Sequence, residues 1–544
     1  MGINMRACLE TTENTEFLHG ETQSKISVIL RAFSVHSVVK TILLLTLLPL
    51  LSFSATVNVN VKDFGACGDG QILDTRAINK AIEAAAEQGG GTVYFPAGTY
   101  PSYSIHLKSN IALYLDQGAT ILAEAPQGEL GYDAPEPASN DKYQDFGHSH
   151  WHNSLIWGEN LENISILGPG TIYGRGLTRG GPYKAPYGNK AIALKLCRNV
   201  VLKDFTILYG GHFGILATGV DNFTIDNLKI DTNRDGIDVD CCRNVRISNC
   251  SVNSPWDDGI CLKSSYGLGF ARATENVTIS NCQVSGYDRG TFINGTYQRK
   301  EGHLVPDKEG PTGRIKFGTE SNGGFKNITI SNCVFDFCRG LALETVDGGL
   351  LEDVSISNIT MRDVVNSPIF IRLGKMMRAP ENTPLGKLHR INISNMVVYN
   401  ADSHFSSLIL GSEGNDIEDV KLSNIRIFYR QIDSAESKIQ KTVPEDSKGS
   451  YPEPAKFGII PAYGFFIRHA KNIQMDNVEL SYLGKETRPA FILDDVKNIE
   501  LNNVEAQKST SAPMIVLKNV EDFRSVNSQS IKNKSLKKVK EKEL

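Results

Sequence analysis

Short runs of alternating apolar and polar residues, each bracketed by asparagine, recur along this chain. The frame Asn-apolar-x-apolar-x-Asn stands as Asn222-Phe-Thr-Ile-Asp-Asn227, Asn244-Val-Arg-Ile-Ser-Asn249, Asn276-Val-Thr-Ile-Ser-Asn281 and Asn327-Ile-Thr-Ile-Ser-Asn332. It returns at 353–358, 419–424, 472–477 and 498–503, and weaker copies start at Asn163 and Asn199. Alternation within each run predicts a short strand with one buried face. Strands repeating every 20–30 residues or so, with Asn and Gly at the corners, predict stacked coils. Asparagine tolerates the left-handed turn conformation and can hydrogen-bond its counterpart in the next coil. No helical half-repeat accompanies the strands, which sets leucine-rich repeats aside. The pattern predicts an all-β fold, a single-stranded right-handed parallel β-helix.

The non-repetitive segments sort by the same reading. Asp74-Thr75 caps an amphipathic helix over about Arg76 to Glu87, ended by Gly89-Gly-Gly91, which closes the N-terminal end of the solenoid. Val93-Tyr-Phe-Pro-Ala-Gly98 begins the first coil. Residues 125–155 and 296–313 break the period and are expected as loops on the groove side. A segment from about Gln431 to Pro454, rich in Ser, Glu, Lys and Pro, is a further insertion. The lysine-rich end, 526–544, reads as a solvated, disordered tail. Near the start, the Leu-rich run from Thr41 to Leu51 follows Lys40 and ends in Ser52-Phe-Ser-Ala55. It is short for a membrane span but suits a signal peptide cut near Ser54. The first 38 residues do not resemble the start of such a peptide, so translation is expected to begin near Val39. Three parts result: an extension with signal peptide (1–54), a β-helix domain (55–525) and the tail. Export follows, to the outside or a periplasm.

Charge and cysteines narrow the class. A net charge of −4 gives no reason to expect nucleic acid or an anionic membrane surface as partner, and a monomer is expected. Of ten cysteines, Cys250, Cys282 and Cys333 each follow the second Asn of a repeat and should stack as free thiols in one internal column. No Cys/His spacing resembles a zinc site, and no metal or cofactor is expected.

Two stretches carry the candidate chemistry: Asn233-Arg-Asp235-Gly-Ile-Asp238 and Trp256-Asp257-Asp258-Gly-Ile-Cys261. Asp235 and Asp258 lie 23 residues apart, one coil, so they should stack at the strand spacing of about 4.8 Å with Asp257 one residue aside. Like charges that close resist joint ionisation, and three clustered aspartates point to acid/base work or a cation. His212, one coil before Asp235, either edges the cleft or is structural. His148, His150 and His152 stand at alternate positions, where a strand would let them share a face for a metal, a weaker reading. Trp151 or Trp256 could offer an apolar platform to a ring of a bound ligand. Arg372 and Arg378, from later coils, are placed to reach outer subsites or to form a solvated basic edge.

With Val61-Lys-Asp-Phe-Gly-Ala66, the Asn233-x-Asp235 pair, the Asp257-Asp258 pair and the coil repeat in hand, the chain resembles glycoside hydrolase family 28 over about residues 57–510. These are the polygalacturonases and rhamnogalacturonan hydrolases, built on a pectin-lyase-like solenoid. The resemblance implies an inverting hydrolase of pectic polysaccharides or oligosaccharides. It implies Asp257 as general acid, Asp235 and Asp258 as holders of the attacking water, and Asn233 beside them at the substrate. Two departures stand out. The family's Gly-His-Gly is replaced either by Arg289 in Gly286-Tyr-Asp-Arg-Gly290 or, if the loop shifts the register, by Pro311-Thr312-Gly313, with His303 able to swing in. The family's Arg-Ile-Lys, which holds a substrate carboxylate, reads Ala342-Leu-Glu344 at its expected place. Arg314-Ile-Lys316 occurs about one coil earlier as a displaced substitute or a coincidence. The inserted loops tilt the expectation to exo action or small branched substrates. A calcium-dependent β-eliminating lyase with Arg289 as base, and a non-catalytic carbohydrate-binding solenoid, are the alternatives.

Overall fold

Alternation leaves every second side chain of each run facing one way, and the computed structural model shows where those faces go. It describes residues 58–544 apart from 138, 146, 300–310, 433–437 and 446. The expected extension and signal peptide, and His303, lie outside the described residues. The chain winds as a right-handed parallel β-helix. One coil consists of Asp235–Asp240, Arg243–Ser248 and Ser251–Asn253. Register holds from coil to coil: Ile164 pairs with Val200, then Phe223, Val245, Val277 and Ile328, a buried apolar column. Each such side chain contributes roughly 1.5–3 kcal/mol by leaving water.

The corners behave as the repeat predicts. Asn199, Asn222 and Asn244 take φ of 56°, 53° and 56°, the left-handed region that asparagine tolerates. Asn222 Nδ2 donates to Asn199 Oδ1 at 3.0 Å, and Asn244 Nδ2 to Asn222 Oδ1 at 3.2 Å. Where an insertion leaves the stack the ladder still closes: Asn327 reaches Asn276 at 2.7 Å across 51 residues. Cys250, Cys282 and Cys333 are buried and free, stacked one above another as expected.

One column of strands departs from simple alternation. Arg243–Ser248 alternates between outward and buried positions, whereas Asp235–Asp240, Ile260–Ser264 and Ile315–Ser321 are buried throughout. Insertions cover their outer face. Asp145 N donates to Glu320 Oε1 at 3.0 Å, and His148 Nε2 lies 3.3 Å from Asp238 Oδ2. From the opposite direction Glu453 reaches Arg314. The polar outer residues of these strands are therefore packed against one another rather than solvated.

The ends correct two expectations. Helix Thr75–Glu87 buries Ile78, Ala81, Ile82 and Ala85 against the first strands, as predicted, but Asp74 does not cap it through its side chain. Its carboxylate instead accepts from Cys67 N at 2.7 Å and Gly68 N at 3.0 Å, tying down the preceding turn. The C-terminal segment is not a disordered tail. Lys534–Glu543 is a strand, antiparallel to Ile515–Val526. Its lysines hid an alternation in which Leu536 and Val539 pack on the core, and the unpaired edge of the last coil supplies the partner. Removing residues 533–544 should lower unfolding stability by roughly 2–4 kcal/mol, the worth of three partly buried apolar side chains, Leu536, Val539 and Leu544, leaving contact. It should also produce concentration-dependent association through the bared edge. Denaturant titration and light scattering check both.

Candidate active site

Stacking register builds the site. Phe213 pairs with Asp235, and Ile237 with Ile260. That places Asp235 and Asp258 in one column and His212, Arg234 and Asp257 in the column beside it. A third column, Gly214, Gly236 and Gly259, allows the coils to close up: a Cβ on Gly236 would lie 2.5 Å from the Gly259 carbonyl oxygen. One oxygen from each of Asp235, Asp257 and Asp258 lies within 4.8 Å of the others, and all three residues are buried. Asp258 N donates to Asp235 Oδ1 and to Asp257 Oδ1, both at 3.1 Å.

Each carboxylate has its own cation. Arg234 Nε donates to Asp257 Oδ2 at 2.9 Å. Lys263 Nζ stands 4.0 Å from Asp235 Oδ2, 3.7 Å from Asp238 Oδ2 and 3.2 Å from Glu320 Oε2. Arg314 Nε donates to Asp258 Oδ1 at 2.9 Å, and Lys316 Nζ lies 3.5 Å from Asp258 Oδ2. Burial, then the neighbouring Asp257 and Asp238 charges, hold the Asp235 carboxyl well above the usual carboxylate range. Burial alone would favour the neutral forms of Lys263, Arg314 and Lys316. The surrounding carboxylates outweigh it and keep all three well above their usual ranges. Burial and the Arg234 charge push His212 well below its usual range. As a neutral ring it donates from Nδ1 to the Arg179 carbonyl at 2.7 Å and accepts from Arg234 Nη1 at Nε2, 2.6 Å.

The expected site residues thus fall into groups. Asp235, Asp257 and Asp258 converge. Arg314 and Lys316 sit on the coil directly after the paired aspartates, Lys316 in register with Cys261, and both touch Asp258. His212, 1% exposed, is linked to Asp257 through Arg234. Asn233 is buried in the turn before Asp235, its Oδ1 3.4 Å from the Thr232 hydroxyl. Arg289 is exposed and lies over the rings of Tyr209 and Trp256, at 4.7 and 5.2 Å. Its turn is held by Asp231, which accepts from the backbone N–H of Gly290, Phe292 and Ile293. Of the two places expected for the family histidine, Thr312 is the one in the Asp257 column: Gly313 N donates to Asp257 O at 2.8 Å and Ile315 pairs with Ile260. Arg372 is buried; its Nη1 donates to the carbonyls of Leu410 and Gly411, and it lies 5.4 Å over Phe457. Arg378 bonds Asp145, Glu320 and Asp347 and so anchors the 125–155 loop.

Other expectations change. Trp151 cannot serve as a sugar platform, because it is 2% exposed with Nε1 donating to Thr218 Oγ1. The three alternate histidines part company, His148 to Asp238, His150 to Asp141 and His152 to Glu159, since they lie on a loop and not a strand. Glu344 does reverse the charge at its position, yet it faces the displaced pair: Oε1 is 3.9 Å from Arg314 and Oε2 3.5 Å from Lys316. Neither oxygen has a hydrogen bond, so burial prevails over those cations and pushes the carboxyl up to about 7. Sequence reasoning missed Arg234, Lys263, Arg339 and Glu453. The first was legible, since 212, 234 and 257 repeat at the coil spacing; Glu453 comes from an insertion with no register to read.

Comparison with known proteins agrees with the β-helix fold. A family model described as "Rhamnogalacturonase A/epimerase, pectate lyase-like" matches residues 58–175, and "Right handed beta helix region" matches 187–363. A probable polygalacturonase of Vitis vinifera is 29% identical over 315 residues, 53% of this chain and 61% of the relative. An exo-poly-alpha-D-galacturonosidase of Dickeya chrysanthemi is 29% identical over 213 residues, 39% of this chain and 34% of that protein. The chain therefore spans less than two thirds of either curated relative. The family 28 exopolygalacturonase of Yersinia enterocolitica shares the fold at a TM-score of 0.58 and 20% identity, over 84% of this chain and 79% of its own.

Glu344 generates a pH dependence. Its carboxyl binds a proton more tightly folded, at about 7, than at its ordinary 4.5. The stability this confers is complete below the ordinary value and is lost as pH rises through about 7. Unfolding free energy should therefore fall by up to about 1.4 kcal/mol per unit across that window. Glu344→Gln should remove this share of the slope, read by urea titration at pH 5 and pH 8.

Proposed function

We propose that this family 28-like chain is a glycoside hydrolase that cleaves galacturonic-acid-containing pectic polysaccharides or oligosaccharides with inversion. The observation that carries the reading is the convergence of Asp235, Asp257 and Asp258 from two adjacent coils, each facing a different cation. Hydrolysis with inversion needs one carboxyl as acid and another to take a proton from water. The resemblance assigns the acid to Asp257 and the water to Asp235 and Asp258. Burial and the neighbouring Asp257 charge favour a proton on Asp235 in the site as it stands. Arg234 meanwhile occupies Asp257. A sugar that draws Arg234 away lets that proton pass to Asp257 and leaves Asp235 as the base, so acid and base are set by one transfer. The nearest oxygens of the three carboxylates lie within 4.8 Å of one another, closer than the roughly 6.5–9.5 Å usual for inversion. The inverting assignment follows the family resemblance, and the anomer of the product decides between it and a double displacement.

Substrate contact falls on the Trp256 side. A cavity of about 320 Å³ is lined by Pro255, Trp256, Asp288, Arg289, Thr291 and Gln298 among others, and so borders the residue that precedes Asp257 in the chain. The Arg179 guanidinium lies 4.4 Å from the Trp256 ring centre and Arg289 5.2 Å. A uronate lodged beside Trp256, whose ring already carries both guanidinium groups, would meet planar, bidentate donors for its carboxylate. The loops that cover the strand column favour exo action, in line with the names of two relatives. A calcium-dependent lyase is the weaker reading. The three oxygens are close enough for a cation, but Arg234, Lys263, Arg314 and Lys316 already compensate them. Among the described residues no helix is long and apolar enough to cross a membrane, which is compatible with an exported enzyme.

Asp257→Asn should lower kcat on galacturonate oligomers at least a thousand-fold while the protein keeps its fold and a cooperative unfolding transition, read by circular dichroism. Proton NMR of the first-formed product should show the inverted anomer; the retained anomer would defeat the mechanism. Arg234→Gln should move the alkaline limb of the kcat/KM profile up by about a unit, because a cation that favours the Asp257 anion is gone. An unmoved limb would mean that the group titrating there is neither Asp257 nor Asp235, both of which face Arg234, and would sink the assignment.

A further inference from the structure

Away from the aspartate trio, one corner of the later coils gathers a histidine and several acids. His469 and Asp495 occupy the same left-handed corner of successive coils, at φ of 50° and 54°, because Arg468 pairs with Asp494 and Ala470 with Val496. Asp416 stands one coil earlier, since Ile417 pairs with Ala470. One ring nitrogen of His469 and one oxygen each of Asp416 and Asp495 lie within 4.8 Å of one another. His469 is 7% exposed and its ring lies between two carboxylates. Nδ1 is 2.7 Å from Asp495 Oδ2 and Nε2 is 3.2 Å from Glu445 Oε2. Glu445 belongs to the insertion that precedes His469. Arg468 holds it there, with Nη1 3.0 Å from Glu445 Oε1 and donating to the Val443 carbonyl at 3.0 Å. No spacing motif announces this corner, because its members are neighbours by coil register and not along the chain.

Two observations point to a cation. A neutral imidazole has one proton for its two carboxylates, so a second positive charge, a proton or a metal ion, completes the other contact. The fixed charges choose between them. Arg468 serves both Glu445 and Asp494, and Lys497 meets Asp416 at 3.2 Å. Asp416, Glu445, Asp494 and Asp495 against two cations leave two negative charges, which a divalent ion balances and a proton does not. In the aspartate trio, by contrast, four cations already stand against the carboxylates. The ring is also posed as a metal ligand is, one nitrogen turned to the cluster and the other donating to an acid that fixes its tautomer. Imidazole with carboxylates suits zinc-type ions, whereas calcium takes oxygen ligands. Lys497 is no obstacle, since its side chain is 47% exposed and it meets one oxygen of Asp416. We propose that Asp416, His469 and Asp495 bind a divalent transition-metal ion of the zinc type, with Nδ1 of His469 toward the ion and Glu445 accepting from Nε2. The ion ties three coils and the insertion together at one corner. The same insertion carries Glu453, which bonds Arg314 and Arg339, so the site is a structural clamp on the segment that covers the aspartates.

The test takes the full chain, stripped with a chelator, and titrates it with Zn2+ by calorimetry and with Co2+ by visible absorption. One equivalent of each should bind, the Co2+ spectrum should show nitrogen ligation, and Zn2+ should slow tryptic cleavage after Lys438 and Lys441. Asp257→Asn should leave the affinity unchanged, which separates this corner from the aspartate trio. Asp416→Asn, at a side chain only 16% exposed but on the rim of the cluster, should weaken binding by about ten-fold or more, and Glu445→Gln should do the same from behind the ring. His469→Gln should remove the nitrogen signature. Circular dichroism shows that each variant is folded, and Glu445→Gln, at a half-exposed side chain, keeps the test decisive if His469→Gln is not. Failure of both ions to bind overturns the proposal. So does affinity that is unaltered in Asp416→Asn and Glu445→Gln, affinity lost in Asp257→Asn, or Ca2+ displacing Zn2+ at equal concentration. None of these readouts needs turnover, so a failure of the hydrolase reading leaves them untouched.

Discussion

Everything in this protein depends on the hydrogen-bonded register between successive coils. Parallel strands stack at fixed spacing, so a residue's neighbour is the one a full coil away, and a slip by one place would turn each buried side chain outward. The register converts sequence spacing into columns of one kind: apolar at Ile164, Val200 and Phe223; asparagine at Asn199, Asn222 and Asn244; glycine at Gly214, Gly236 and Gly259. The carboxylate site is two more columns of the same lattice. Asp235 and Asp258 face each other because the glycines beside them let the coils close.

Such crowding is tolerable only with compensation. Three carboxylates in one buried patch are opposed by desolvation and by one another, and the fold answers with cations drawn from successive coils. Arg234 comes from the coil of Asp235, Lys263 from that of Asp258, and Arg314 with Lys316 from the next. The cations are then buried in turn, so a further layer of acids, Glu320, Glu344 and Glu453, completes the network. Glu344 shows the limit of this compensation, since two nearby cations without hydrogen bonds do not offset its burial.

The insertions belong to that network. Asp145 and His148 from one loop and Tyr451 and Glu453 from another make the outer face of the strand column a protein interior. Their positions have no period, so their destinations were illegible from spacing. The tail differs from its expectation for a related reason: its composition predicts disorder, while the deciding fact is a free strand edge with which Leu536 and Val539 align.

By itself the sequence determined the coil architecture, the asparagine and cysteine columns and the convergence of the three aspartates, because each depends on spacing within the repeat and a parallel register carries spacing into contact. The His212–Arg234–Asp257 column was present in the same spacing, though unassigned. Only the tertiary structure decided which cation meets which carboxylate, where Arg314 and Lys316 stand, and that Glu453 fills the place between two guanidinium groups. Those outcomes depend on the paths of irregular segments, on burial and on distances of a few ångströms between side chains, none of which periodicity encodes.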